Sequence, residues 1–508
     1  MTDPETVPPE QIPDGDSDPG QIEGAIDEAL REAQLRTKDR HTPRVAILVY
    51  NDAHADTRVL KTAATLREAG CEVRILAVAR ERAGYPEGSE TLPNGVQIVR
   101  LPEFQLARSA PWLADAYRWV LARLRRVAGA EEPAGAASSA VSGASRSRPG
   151  TSTTSTHPTA PPTEPTGTPA PAVAAKPVGV LLDVWLRTYR TVSLAIYWRA
   201  AISDGVAFHP DVIHANDGNT LAPAMRIARH TGAAIVYDAH ELWRRRNVRP
   251  RPVAPHVEHL LERLGIRRAA AVITVSPSIA TWLHRTYRLR RRPQLVRNIP
   301  PAAPVPDPAT GVLRERAGLA ATDQVIAYGG RITTSRGIEE TIDALAHLPA
   351  HVHLVLLGYG EEDYLAVVRR RAADAGVSDR VHLVGAVASH EVATALADAD
   401  VSVVYVRPTC LSYEFSLPNK LFESIHAGLP IVAADLPDTK TVVTEYGVGA
   451  VFSVTGGAED LAAAFERVLA DPEPFREAAQ AAARELTWEG EAGVLLGEYE
   501  RVLAGVRT

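Results

Sequence analysis

The segment Tyr328-Gly329-Gly330-Arg331 closes a short apolar run that begins at Val325, and Arg336-Gly337 opens an amphipathic stretch from Ile338 to Leu345. Glycines let backbone approach a ligand closely. Two guanidiniums beside a helix N-terminus direct fixed donors and a positive dipole end at one anion, which suits a pyrophosphate. A glycine turn with two solvated arginines is the plainer account of the same residues. A second run ends in Gly358-Tyr359-Gly360 ahead of a helix from Leu365 to Ala375, a turn able to face a nucleotide or simply to reverse the chain. The most distinctive stretch is Ser416-Leu417-Pro418-Asn419-Lys420-Leu421-Phe422-Glu423, followed by Ala427-Gly428-Leu429-Pro430-Ile431-Val432-Ala433.

The first half of the chain carries its own polar loops. Asn51 to Arg58 follows an opening apolar run, Asp238-Ala239-His240-Glu241 ends another, and His214, Asn216 and Asp217 end the one before it. A histidine at the end of a parallel strand is placed to line a cleft, although many such histidines are structural. Asp217 reads equally as cleft lining or as turn and capping chemistry. Asp398-Ala399-Asp400 has the spacing of a metal-binding Asp-x-Asp, but it ends a helix directly before the Val401 run, and we read it as structural. Asp435 to Asp438 reads as a turn, and no His/Cys cluster has metal-ligand spacing. No metal or cofactor is expected.

These loops require strands and helices in alternation. Runs at Arg44–Val49, Glu72–Val78, Val96–Arg100, Val212–His214, Ala234–Tyr237 and Ala271–Val275, with helices between most of them, predict one doubly wound parallel sheet. After the Pro-rich turn Pro300–Pro308 the pattern restarts, with strands at Val325–Tyr328, His353–Leu357, Val381–Leu383, Val401–Val404 and Ile431–Ala433. The predicted fold class is therefore α/β, two tandem Rossmann-like domains facing a cleft, with ligands beyond the strand C-termini. The expected boundaries are a disordered tail over 1–42, a first domain over 43–302 with a disordered insertion at 129–177, a second over 303–485, and a closing segment over 486–508. The tail is acidic and rich in Pro and Gly, and the insertion is nearly all Ala, Ser, Thr, Pro and Gly, compositions that bury too little apolar surface to offset chain entropy.

Taken together and in order, Gly329-Gly330-Arg331, Arg336-Gly337, Gly358-Tyr359-Gly360, Arg380-Val381-His382-Leu383-Val384-Gly385 and the Ser416–Glu423 stretch resemble the donor half of the bacterial family 4 glycosyltransferases. The resemblance runs from about Arg44 to Val502. It implies the GT-B fold, retention of anomeric configuration, and transfer from a nucleoside diphosphate sugar to an acceptor: a glycan, a lipid-linked molecule or a small molecule. By resemblance, Glu423 accepts from the ribose hydroxyls, Arg331 and Arg336 hold the diphosphate, Asn419 and Lys420 add donors, and the loop from Val384 to Val387 lies near the base. Glu423 has a plainer reading as a carboxylate complementing a helix dipole. His240 is implied to sit close to the donor sugar. Gly329, Gly330, Gly358, Gly360 and Pro418 complete the donor side, and Arg58, Asp217 and Glu241 the acceptor side; Arg58 reads also as a helix-start surface residue. Relatives often carry a sugar-contacting glutamate ahead of the ribose-binding one, with seven residues between the two. Phe415 stands there in this chain, leaving Glu414, or the backbone amides of Phe415–Leu417, to orient the sugar. The closing segment from Leu486 resembles a helix crossing back onto the first domain.

Bulk properties narrow the partners. The 508 residues carry a formal charge of −6, 45% hydrophobic and 23% charged residues, which describes a globular chain without the global basic field of a nucleic-acid binder. Cys71 and Cys410 are too few for a disulfide framework and are expected as ordinary buried thiols, and neither a signal peptide nor a long apolar span is expected, consistent with the cytoplasm. Arg244-Arg245-Arg246 through Arg251, and a basic-aromatic stretch from Trp112 to Arg126, read either as solvated faces or as peripheral contacts with anionic lipid at the inner membrane face. Two rivals stay open: an epimerase of nucleotide sugars with the same two domains, and a non-catalytic nucleotide-sugar-binding scaffold.

Overall fold

The structure is a computed structural model and describes residues 34–37, 41–54, 56–104, 177–246 and 254–505. The expected tail, the insertion, the Trp112–Arg126 stretch and Arg251 fall largely or wholly outside those residues. The chain groups into two compact units, Met1–Glu103 together with Ile196–Thr508, and Phe104–Ala195. In the latter, the Tyr189 hydroxyl donates to the Phe104 carbonyl at 2.6 Å and the two rings lie 5.0 Å apart.

The larger unit contains two sheets. The first joins β1 (Arg44–Leu48), β2 (Glu72–Val78), β3 (Gly88–Thr91), β4 (Gln97–Leu101), β5 (Val212–Asn216), β6 (Ala234–Ala239), β7 (Ala271–Thr274) and β8 (Gln294–Leu295) in the order β3-β4-β2-β1-β5-β6-β7-β8. All neighbours are parallel except the β3–β4 pair. The second sheet joins β9 (Gln324–Gly329), β10 (Val352–Leu357), β11 (Val381–Leu383), β12 (Val401–Val404), β13 (Ile431–Ala434) and β14 (Gly449–Phe452), all parallel, in the order β11-β10-β9-β12-β13-β14. Numbered within its own domain, that is the 3-2-1-4-5-6 order of a doubly wound nucleotide-binding sheet. Strand order reverses between β1 and β5 and between β9 and β12, and the crevices at those reversals are where such sheets bind ligands.

Helices cover both sheets: α1 (Thr57–Glu68), α2 (Pro177–Phe208), α3 (Gly218–Thr231), α4 (Ala254–Ile266) and α5 (Pro277–Tyr287) in the first half, α6 (Leu313–Ala317), α7 (Ile338–Leu345), α8 (Glu362–Asp374), α9 (Val392–Leu396), α10 (Leu411–Glu414), α11 (Asn419–His426), α12 (Pro437–Glu445), α13 (Gly457–Ala470) and α14 (Glu473–Glu485) in the second, and finally α15 (Trp488–Gly505). Covering both faces explains why central strands read as unbroken apolar runs, with Val45 to Leu48 and Val325 to Ala327 fully buried. Three strands escape the sequence pattern: β3 is exposed throughout, β8 has two residues, and β14 opens on a glycine whose added Cβ would lie 1.8 Å from the Ile431 carbonyl oxygen.

Helix α15 packs against the core of the first sheet. Trp488, Leu495, Tyr499, Val502 and Leu503 of α15 share one core with Val45, Ile47, Leu66 and Val73, and the Trp488 indole N–H donates to Thr65 Oγ1 at 3.0 Å. The two halves also touch through helix ends and loops. Asp438, at the start of α12, accepts from the backbone N–H and the hydroxyl of Ser278 at 3.0 and 2.9 Å, placing a carboxylate at the positive end of α5. The Ser276 hydroxyl, which also caps α5 through the Ile279 amide, donates to the Phe415 carbonyl at 2.7 Å. Asp398 and Asp400 are structural: Asp398 accepts from the Leu313 and Arg314 amides, and Asp400 pairs with Arg314 at 2.7 Å. Cys71 is buried as expected, whereas Cys410 is only half-buried.

Gly218, the first residue of α3, makes a sharp test of this packing. A Cβ there would lie 1.9 Å from the Trp243 indole, so Gly218→Ala forces the ring out of its seat. Overpacking of this kind costs about 1–3 kcal/mol. We expect a lower melting temperature and an altered tryptophan emission; wild-type values for both would show that the indole does not pack here.

Candidate functional site

The C-terminal ends of β5 and β6 hold a buried ionic network. Asp238, fully buried on β6, receives both Nε and a terminal nitrogen of Arg58 at 2.8 and 2.9 Å, and Arg58 also donates to the Val296 carbonyl. Arg58 is 3% exposed, so it does not face an acceptor as expected. Its helix, α1, turns it inward to neutralise Asp238. Behind Asp238, His214 Nε2 lies 3.3 Å from the carboxylate while its Nδ1 meets the Tyr499 hydroxyl of α15 at 2.9 Å. Burial holds His214 below its ordinary pKa and therefore neutral.

On the open side of Asp238 stands His240. Its Nε2 is 3.2 Å from Asp238, at ion-pair distance but without hydrogen-bond alignment, and its Nδ1 is 3.6 Å from Asp217. Asp217 adopts the left-handed conformation with φ 57°, and instead of capping α3 its carboxylate accepts from the His240 backbone N–H at 3.0 Å. Burial opposes charge on His240, but the two carboxylates outweigh it and lift the imidazole to about 9. Burial opposes charge on Asp238 as well, yet Arg58 and His240 keep it well below the usual carboxylate range. Glu241, beside them, is pushed up to about 7 by burial and by Asp217, against the pull of Arg246 at 3.4 Å. The outcome is a half-buried imidazolium at the mouth of the first crevice.

The second sheet gathers cations at its crevice. Lys420, in the first turn of α11, places its Nζ 3.7 Å over the Tyr328 ring, and this nitrogen is buried with no hydrogen-bond partner. Burial, with the nearby Arg336 guanidinium, pulls it far below the normal lysine range. Arg336 lies 5.3 Å from the centre of the Tyr413 ring and has no ion pair among the described residues. Glu423, one turn further along α11, is raised by burial against the pull of Lys420 and of Lys61 from α1. Lys61, itself lowered to about 8 by burial and Arg58, is a contribution from the first domain that the sequence did not mark. Arg331 is 56% exposed and 3.6 Å from Glu361, at the rim rather than beside the buried cation. Asn419 is exposed at the start of α11, behind Pro418.

The glycines divide into two kinds. Gly358 and Gly360 join neighbouring loops: an added Cβ would lie 1.8 Å from the Gly330 carbonyl oxygen at one and 2.6 Å from that of Ile332 at the other. Their lack of a side chain is explained by backbone packing rather than by a ligand. Gly329 packs against Leu396, while Gly330 and Gly385, at φ 116° and 79°, provide turns with open space where a Cβ would be. Gly337 opens α7 at φ 70° directly against Tyr405.

A third contact set links the two crevices. Ser412 Oγ on α10 accepts from the Leu242 amide at 3.1 Å, two residues beyond His240, and the next residue is Tyr413, beneath Arg336. Phe415 lines a pocket of about 290 Å³ with Thr281 and Trp282 of α5, while Glu414 is half-buried and makes no ion pair among the described residues. The loop containing the expected sugar-contacting position thus also touches the first half of the chain.

Two family models match the chain in succession, "Glycosyltransferase Family 4" over residues 156–301 and "Glycosyl transferases group 1" over residues 311–486. The chain belongs to the family 4 glycosyltransferases. Its fold is GT-B: sucrose-phosphate synthase of Thermosynechococcus elongatus superposes with a TM-score of 0.59 at 17% identity over 89% of this chain and 97% of that one. HepE of Anabaena, in complex with UDP and glucose, superposes with a TM-score of 0.55 at 16% identity over 90% and 98%. Among curated sequences, a D-inositol 3-phosphate glycosyltransferase of Xylanimonas cellulosilytica is 32% identical over 205 residues, which is 39% of this chain and 47% of that protein. The counterpart from Jonesia denitrificans is 25% identical over 321 residues, 59% of this chain and 74% of that protein. The first of these matches spans about half the length of the curated relative.

Within this family 4 chain, the sequence singled out His240, Asp217, Glu241, Arg336, Lys420 and Glu423, and the structure gathers them around the two crevices. It missed Asp238 as the centre of the first cluster, and Lys61, Ser412 and Tyr413. Only Asp238 had a sequence signal, its place two residues before His240. Among the described residues, no group of three His, Cys, Asp or Glu side chains is arranged to hold a metal, and no helix is long and apolar enough to cross a membrane.

The His240 charge sets a pH limit. Its folded value of about 9 exceeds the ordinary 6.5, so the stabilisation it provides is complete below 6.5 and is lost as pH rises through 9. An NMR titration of the imidazole should therefore show a midpoint near 9 and the stability of the wild type should decline over that range. The decline should be absent from His240→Gln. A midpoint near 6.5 would mean that the two carboxylates do not hold the ring.

Proposed function

We propose that this chain transfers a glycosyl group from a nucleoside diphosphate sugar to an acceptor hydroxyl, with retention of anomeric configuration. The observation that carries this reading is the pair Arg336 and Lys420, the latter buried without a partner over Tyr328, with the Glu423 carboxylate on the same helix. An unpaired buried ammonium is costly. A diphosphate in contact with both cations would relieve that cost, and Glu423 would accept from ribose hydroxyls. The UDP bound by HepE, on the same fold, supports the choice of ligand class.

In the proposed reaction the bond from the anomeric carbon to the diphosphate oxygen breaks, and one from that carbon to the acceptor oxygen forms. Negative charge develops on the departing diphosphate, where Lys420, Arg336 and the rim guanidinium of Arg331 stabilise it. The acceptor proton passes to the departing phosphate oxygen. His240, fixed as an imidazolium between Asp238 and Asp217, orients the sugar from the opposite crevice. Asp217 and Glu241 face the acceptor. Side-chain cations provide the charge balance, and we assign no metal to the step. Glu414, beside Phe415, is the carboxylate available to the sugar. The site belongs to a chain working at the cytoplasmic side of a membrane or in the cytoplasm.

Calorimetric titration of UDP, GDP and ADP and their sugar conjugates into wild type, Arg331→Ala and Glu423→Ala tests the reading. Selective binding that is weakened in both variants supports it and names the nucleotide. No binding to any diphosphate overturns it. The curated relatives make a phosphorylated inositol the first acceptor to assay.

A further inference from the structure

A cavity of about 640 Å³ lies away from both crevices. It is formed by the loop entering β7, the loop entering β8 and the final helix α15, so it opens at the N-terminal edge of the sheet whose C-terminal edge carries His240. Four residues of β7 separate the two edges, roughly 13 Å at the rise of a parallel strand.

Guanidiniums carry most of its charge, set among apolar residues such as Ile266, Val272 and Leu289. Arg267, Arg288, Arg290, Arg291, Arg292 and Arg501 line it against a single carboxylate, Glu498, in a chain whose formal charge is −6. Three of the six are fixed by protein acceptors: Arg267 donates to the Tyr287 carbonyl at 3.1 Å, Arg501 to the Ala270 carbonyl at 2.8 Å, and Arg292 to Thr281 Oγ1 at 2.9 Å. Glu498 pairs with Arg501 at 2.5 Å and with Arg291 at 3.6 Å. Arg288 and Arg290 are exposed and have no ion pair among the described residues. Like charges drawn to one concavity repel each other, and a solvated arginine face would spread over a convex surface instead. A volume of this size accommodates a small ligand, and guanidinium forks match phosphate oxygens in pairs.

The geometry points to a second anion site, one that binds a ligand carrying clustered phosphates and clamps α15 to the first sheet. The ligand is separate from the donor: its contacts come from β7, β8 and α15, none of which supplies Arg336, Lys420 or Glu423. A soluble polyphosphorylated molecule and a phospholipid headgroup offer the same chemistry.

The test uses the full chain with Arg336→Ala and Lys420→Ala, which removes the other cation pair, at about 0.15 M salt to screen diffuse attraction. Inorganic tripolyphosphate is titrated calorimetrically. We expect one molecule bound per chain, with affinity reduced at least about tenfold by Arg290→Glu with Arg291→Glu, since each charge-assisted hydrogen bond counts for that much. Arg290→Lys with Arg291→Lys should restore most of it, which separates lost charge from lost folding. Co-sedimentation with phosphatidylglycerol vesicles but not phosphatidylcholine vesicles, abolished by the same charge reversal, would identify a lipid headgroup as the source. Tripolyphosphate binding without co-sedimentation would identify a soluble one. Absence of both, or binding unaffected by the charge reversal, overturns the site. Because the background already lacks Arg336 and Lys420, failure here leaves the glycosyl-transfer reading untouched.

Discussion

Asp238→Asn is expected to destabilise the protein by about 3–5 kcal/mol, the range found when one partner of a buried ion pair is removed. An amide has nearly the same shape as the carboxylate, so packing hardly changes. What changes is charge: Arg58, 3% exposed, is left with no anion at its Nε and terminal nitrogen, and His240 keeps only Asp217. The imidazole midpoint should fall from about 9 toward 6.5. The pH dependence should change as well. Asp238 is held well below its ordinary 3.8, so its stabilisation is fully present above 3.8 and disappears only as pH falls through the folded value. The variant should lose that acid-side dependence. Arg58→Lys is the companion experiment, because a single ammonium cannot satisfy both carboxylate oxygens. Melting curves and an imidazole titration check all three expectations, and an Asn variant with wild-type melting and a His240 midpoint still at 9 would overturn the account.

The difference between what the sequence reveals and what it hides follows the range of the interactions. Strands β1, β2, β9, β10 and β12 are legible because both faces are buried, which turns each into a local apolar run closed by glycine or a polar loop. Lys420 and Glu423 are legible because they sit in one ordered stretch with Pro418 and Asn419. Arg58 is misread because its partner is 180 positions away, and local pattern puts a charged residue near a helix start on the surface. The same distance hides Asp238, whose role depends on Arg58, His214 and His240 converging from three separate elements. Gly358 and Gly360 look like ligand loops in sequence because a turn against a neighbouring backbone and a turn against a phosphate require the same small residue. Strand β3 has no apolar alternation to read, since it is an exposed antiparallel edge.

Lys420→Met should make the unliganded protein more stable and nearly useless as a diphosphate binder. The wild-type Nζ is buried over Tyr328 with no acceptor, and burial together with Arg336 drives its pKa far below 10.5. A base depressed in the folded state binds more protons when unfolded, so wild-type stability contains a term that increases with pH up to 10.5. Methionine fills similar volume with an adaptable apolar chain and no charge to desolvate. We expect a gain of about 1–3 kcal/mol near neutral pH, the cost of an unsatisfied buried polar group. The advantage over wild type should shrink as pH approaches 10.5; an advantage constant with pH would show that the ammonium is not the cause. Affinity should move the other way, falling about 10- to 100-fold for the nucleoside diphosphate, as expected for loss of a charge-assisted hydrogen bond. Thermal shifts separate the two effects, because a ligand raises the melting temperature only as far as it binds the folded form. Nucleotide at about 100 times the wild-type Kd should raise the wild type well above its unliganded value and the Met variant by at most about half as much. A stability gain with undiminished affinity would move the anion away from Lys420, whereas lost affinity without a stability gain would show that its ammonium is solvated.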